Sequence, residues 1–123
     1  MLLAIAFTLV LTVPAGAAPV PAAAAAPPCQ LFADVPFWDG GGNLVGVGGR
    51  IYCSSIRTVT VLLRQDRPWW PDRTLATSPS RTGTTVILEA RRYCTGNSDM
   101  KVYTETRTNT GGKVQSGRLL TSC

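Results

Sequence analysis

The sequence predicts an all-β fold: a small antiparallel β-sandwich of about six or seven strands, tied by two disulfides. Three observations carry that prediction. Apolar and polar residues alternate with period two in several separate segments, the signature of strands with one buried face. Glycine- and asparagine-rich turn signals separate those segments. Four cysteines occur in a short chain, and beyond the leader no stretch keeps the 3.6-residue apolar period of an amphipathic helix.

The N-terminus reads as an export signal, expected over residues 1–17. Residues 2–13 are LLAIAFTLVLTV, apolar except for threonine, followed by Pro14 and then the small residues Ala15, Gly16, Ala17 and Ala18. The run falls short of the roughly 20 apolar residues that cross a bilayer. No Lys or Arg precedes it, so the start codon is expected upstream. Residues 18–28 are almost entirely alanine and proline, a composition that can neither hold a helix nor bury a core. They read as a flexible tail, and 29–123 as a single β-sandwich domain.

The cysteines are Cys29, Cys53, Cys94 and Cys123. None pair at the C-x-x-C spacing of redox or zinc sites, and the absence of histidine rules out a mixed zinc site. Two disulfides are therefore expected, and three pairings are open. Cys29–Cys53 with Cys94–Cys123 is favoured because each would tie neighbouring strands, contributing about 3 kcal/mol by restricting the unfolded chain. The rival, Cys53–Cys94 with Cys29–Cys123, would staple the two sheets together.

Alternation places the strands. Val45, Val47, Gly49 and Ile51 form one face of the first clear segment, with Arg50 and Tyr52 opposite. Val59, Val61 and Leu63 form one face of the next, against Thr58 and Thr60. Val86, Leu88 and Ala90 alternate with Thr85, Glu89 and Arg91. Met100, Val102, Thr104 and Thr106 oppose Lys101, Tyr103, Glu105 and Arg107. In each the expectation is one face in the core and one in water. Turns are expected at 39–43, 81–83, 95–97 and 109–112. Arg50-Ile51-Tyr52-Cys53 and Arg91-Arg92-Tyr93-Cys94 also share the pattern Arg-x-Tyr-Cys, as duplication of one β-meander would produce.

The net charge of +5 comes from ten arginines and two lysines against seven acids. Arginine suits bidentate contact with carboxylates or phosphates. Without histidine, Ser-His-Asp and Cys-His catalysis are unavailable, and disulfides would consume every thiol. The acids fall beside turns or arginines rather than as a facing pair, and Gly40-Gly41-Gly42 lacks the Lys-Ser of a phosphate loop. The chain is expected to be non-enzymatic, to need no cofactor or metal, and to bind no nucleic acid. Recognition is expected in Arg67-Pro68-Trp69-Trp70-Pro71-Asp72-Arg73, where adjacent tryptophans between prolines suit a loop and exposed Trp beside Arg suits an interface. Arg67, Trp69, Trp70 and Arg73 are the candidate binding residues there, and Trp38 in Phe37-Trp38-Asp39-Gly40 is a further one.

The order Cys53, Trp69, Cys94 is similar to that of immunoglobulin domains, although Tyr93 directly precedes Cys94 where that family has one residue between. That likeness implies a sandwich in general. Terminal cysteines with surface tryptophans are similar to some bacterial carbohydrate-binding modules. The whole format of Ala/Pro-rich leader, tail and arginine-rich two-disulfide β-module resembles the small exported proteins of high-GC Gram-positive bacteria. Among these is the adaptor subunit of umbrella toxin particles, which joins a lectin-like subunit to a large toxin chain. The resemblance covers 29–123 as an outline and implies a secreted, extracellular module that binds another secreted protein, with no membrane span once mature. Alternatives are a polysaccharide- or cell-wall-binding module, a secreted protease inhibitor, and a small antibacterial toxin.

Overall fold

In the computed structural model of the protein, residues 27–123 are described; the expected signal peptide and all of the expected tail except Pro27 and Pro28 lie outside them. Ten strands and no helix occur among the described residues: β1 (Gln30–Ala33), β2 (Phe37–Trp38), β3 (Asn43–Ile51), β4 (Arg57–Asp66), β5 (Arg73–Thr77), β6 (Arg81–Gly83), β7 (Val86–Tyr93), β8 (Asp99–Thr108), β9 (Lys113–Gln115) and β10 (Leu119–Ser122). All pairings are antiparallel. One sheet centres on β3, with β7 on one side and β1 then β2 on the other. The second centres on β4 and β8, flanked by β5 and β6 on one side and by β9 and β10 on the other. The split edges β1/β2, β5/β6 and β9/β10 each occupy one strand position, so the sandwich has seven positions, within the six or seven expected.

The breaks in the second sheet are patched by serine. The Val61 amide donates to Ser78 Oγ (2.9 Å), and the Ser78 amide donates back to the Val61 carbonyl (2.8 Å). Across the sheet the Thr104 amide donates to Ser116 Oγ, and the Ser116 amide donates to the Thr104 carbonyl, both at 2.9 Å. A hydroxyl thus accepts the amide hydrogen that a regular neighbour strand would have taken. The register of β5 against β4 slips opposite Leu63 and Arg64, leaving Leu75 of β5 unopposed and turned into the core.

The core lies between the sheets: Leu44, Val86, Leu88 and Ala90 from one, Val59, Val61, Leu63, Leu75 and Val102 from the other. Each buried Val or Leu contributes roughly 2 kcal/mol. The faces expected for β4, β7 and β8 are the ones that point inward. β3 is the exception. Its register with β7 puts Leu44, Gly46, Gly48 and Arg50 on the face shared with Ala90, Leu88 and Val86. The expected Val45, Val47, Gly49 and Ile51 face is the outer one. The reason is packing from the opposite sheet: Thr104 and Thr106 stand against Gly46 and Gly48, where a Cβ would leave them no room. Thr106 Oγ1 also donates to the Phe32 carbonyl (2.7 Å).

Both disulfides pair as favoured, Cys29–Cys53 and Cys94–Cys123. Cys29–Cys53 ties the neighbouring strands β1 and β3. Cys94–Cys123 differs from the expectation in what it joins, because Cys94 follows β7 in one sheet and Cys123 follows β10 in the other. The two bridges sit at opposite ends: Gln30 pairs with Ile51 at the far end of β3, while Asn43 at its start pairs with Tyr93. A nine-residue strand separates those ends by roughly 25 Å. No helix among the described residues is long and apolar enough to cross a membrane.

Candidate functional site

The end marked by Cys94–Cys123 gathers every candidate binding residue. Three connections meet there: the turn from β2 to β3, the loop at 67–72 between β4 and β5, and the crossover from β7 to β8. The first is held by Asp39, whose carboxylate accepts from the amides of Gly41 (2.7 Å) and Asn43 (3.1 Å). Gly40 and Gly42 both take φ of +83°, a left-handed conformation that favours glycine. The Gly41 hydrogen bond leads in holding the Asp39 carboxyl below its ordinary range, against desolvation and helped by Asn43 and the charge of Arg91.

The tryptophan loop is pinned by Asp72. Its carboxylate accepts from the Tyr103 hydroxyl and from the Arg67 amide (3.3 Å), and its carbonyl accepts from Arg64 Nη2 (3.2 Å). Arg67 Nε donates to the Pro71 carbonyl (3.0 Å), closing the loop on itself. The Tyr103 bond keeps the Asp72 carboxyl low against the upward pull of desolvation. Burial, then the Asp72 hydrogen bond, pushes Tyr103 up to about 12.

With its base fastened, the loop holds its tryptophans outward: Trp69 is 89% and Trp70 70% exposed. They line a groove of about 810 Å³, with Pro68, Met100 and Leu120 as further apolar surface and Asp99, Lys101 and Thr121 as polar surface. Arg67 lines the same groove. Trp38 stands beside it and donates from Nε1 to Thr121 Oγ1 (3.0 Å), reaching from one sheet to the edge of the other. Arg73 lies around the corner in a second cleft of about 400 Å³, which shares Gln65, Arg67 and Met100 with the groove.

The middle of the outer face of β8 is covered rather than wet. Tyr103 and Glu105 are both 1% exposed. The Arg118 guanidinium lies 3.7 Å from the centroid of the Tyr103 ring, and Arg118 Nε also donates to Asp66 (3.0 Å). Glu105 accepts from Arg107 Nε and from Gln115 Nε2 (2.7 Å), with Arg64 3.5 Å away. Burial alone would raise the Glu105 carboxyl; the Gln115 and Arg107 hydrogen bonds and the arginine charges outweigh it, and the carboxyl sits below its ordinary range. This polar layer is a platform under the tryptophan loop, since Tyr103 links it to Asp72.

Sequence reasoning missed Arg92, which lines the second cleft and donates from Nη1 to the Leu75 carbonyl (3.2 Å). Its only signal was its place in the second Arg-x-Tyr-Cys segment, two residues before a cysteine.

Fold and site together define a small two-disulfide β-sandwich that presents an aromatic groove and an arginine-lined cleft at one end. Comparison with protein-family models, curated proteins and solved structures finds no match to this chain.

Proposed function

We propose that this protein is a secreted, non-enzymatic module that binds another extracellular protein through the tryptophan groove, as an adaptor or interaction subunit. The observation that carries the reading is the loop holding Trp69 and Trp70 in water: exposed tryptophans cost solvation unless a partner covers them. The loop is also preorganised by Asp72, which lowers the ordering cost of binding. An adaptor role draws on the placement of the chain's ends. Pro27 and Pro28 are exposed beside Cys29, at the end opposite the groove, so a contact at these residues and one at the groove would use two separate surfaces.

Affinity purification of the tagged mature protein from its producer's culture medium tests this reading. Recovery of one or two exported proteins in fixed ratio, lost when Trp69 and Trp70 are both changed to alanine, is the expected outcome. Recovery of the protein alone would sink it. One observation favours a second reading: the Trp69 ring is open beside Asp99, Thr121 and Ser122, a stacking face next to hydrogen-bonding groups, as sugar recognition uses. Retention on insoluble chitin, cellulose or peptidoglycan, abolished by Trp69→Ala, would identify that case.

A further inference from the structure

The second cleft concentrates positive charge that no Asp or Glu side chain in its wall offsets. Arg67 from the tryptophan loop, Arg73 at the start of β5 and Arg92 near the end of β7 line it, and no Asp or Glu side chain does. Among the described residues none of the three forms an ion pair, whereas Arg64, Arg91, Arg107 and Arg118 all do. Arg67 uses only Nε, on the Pro71 carbonyl, and Arg92 only Nη1, on the Leu75 carbonyl. Both Nη atoms of Arg67, and Nε and Nη2 of Arg92, remain without partners among the described residues.

These side chains are held by rigid parts of the fold. β5 and β7 carry Arg73 and Arg92, Arg67 is fixed by the loop that Asp72 pins, and the Cys94–Cys123 bridge forms part of the wall. Three guanidinium groups around one cleft repel one another unless an anion sits between them. Arginine's planar fork fits a carboxylate bidentately. The remaining wall mixes Leu75, Met100 and Tyr93 with Gln65, Thr95 and Ser98, so it suits an anion carried on a chain with both apolar and hydrogen-bonding groups.

We infer that this cleft binds a carboxylate, and that the segment a partner lays along the tryptophan groove places an acidic side chain in it. The second half rests on the protein-binding reading above; the first half does not. Continuity supports the coupling, because Gln65, Arg67 and Met100 line both groove and cleft. A single segment can therefore set an apolar side chain against Trp69 and Trp70 and an acid among the arginines.

The test titrates the isotope-labelled mature protein, disulfides intact, and follows amide and arginine Nε resonances. The probes are a six-residue peptide with both ends blocked, pairing leucines with one glutamate; the same peptide with glutamine; the glutamine peptide with a free C-terminus; and inorganic phosphate. The glutamate peptide is expected to shift Tyr93, Thr95 and Gly96 and to bind at least tenfold tighter than its glutamine counterpart. Arg73→Gln and Arg92→Gln should each weaken it severalfold, while Arg81→Gln, on β6, should leave it unchanged. Response only to the free C-terminus would keep the carboxylate site and assign it a chain terminus. Equal binding of the glutamate and glutamine peptides overturns the inference, as does tighter binding of phosphate than of either peptide. A tenfold glutamate preference, together with partner recovery that survives loss of both tryptophans, would overturn the protein-binding groove and leave the carboxylate cleft standing.

Discussion

The hydroxyl of Thr104 lies 2.7 Å from where a Cβ on Gly46 would stand. Thr104 is fully buried, and its Oγ1 has no hydrogen-bond partner among the described residues. The sheets approach closely at this point because one side contributes no side chain. Gly46→Ala is expected to cost about 1–3 kcal/mol by overpacking, and Thr104→Ala in the same chain should recover part of that loss. Thr104→Val should instead stabilise by about 1 kcal/mol, since it removes an unpaired buried hydroxyl. Urea midpoints of the single and double variants check all three.

The serine patches give a second expectation. Ser116→Ala strands the Thr104 amide inside the protein, and Ser78→Ala strands that of Val61. Each should cost about 1–3 kcal/mol. Hydrogen exchange reads the effect locally: the Thr104 amide should exchange faster in Ser116→Ala, and the Val61 amide in Ser78→Ala.

Acid should weaken the fold through Glu105, Asp72 and Asp39, whose carboxyls all sit below their ordinary range. A depressed carboxyl stabilises fully above its unfolded value of about 4 and loses that contribution as pH falls through its folded value. Thermal midpoints are therefore expected to be level near neutrality and to fall below about pH 4. Glu105→Gln should lower the neutral-pH stability by about 2 kcal/mol and flatten the acid limb. A limb of unchanged steepness would remove Glu105 from the account.

Alkali acts through Tyr103 with the opposite sign. Its hydroxyl is pushed up to about 12, so the neutral form is favoured by folding. That contribution is complete below the unfolded value of about 10 and is lost as pH rises towards the folded one. Absorbance at the phenolate band should show one tyrosine ionising near the unfolding transition, and Tyr103→Phe should remove it.

Trp69 and Trp70 should be separable from stability altogether. Both are largely exposed, and alanine at either is expected to change folding free energy by less than about 0.5 kcal/mol while abolishing partner recovery. Trp38→Phe should behave differently, losing the bond to Thr121 and about 1 kcal/mol of stability.

The inner faces of β4, β7 and β8 were legible because their inward residues are branched or aliphatic and most of their outward ones polar, Leu62 and Ile87 being the exceptions. β3 misled because its inward face is carried by Gly46 and Gly48, which have no hydropathy to read, while Val45 is buried on the other face in register with Phe37 and Arg91. The strand breaks left no trace, since a serine that replaces a ladder bond looks like any loop serine. Tyr103 and Glu105 read as solvent-facing because two of their covers, Gln115 on β9 and Arg118 just after it, come from beyond β8. The tryptophan loop was legible through its prolines. Arg92 was not, because its cleft exists only once β5, β7 and the C-terminus converge.

Each bridge joins cysteines that are consecutive along the chain, with no loop passing inside another. A chain emerging from a pore N-terminus first would present Cys29 and Cys53 before Cys94 appears, and Cys94 would then meet Cys123 as the last of the four cysteines. Oxidation in order of emergence therefore yields the native connectivity, and such a chain needs no disulfide isomerase to correct it.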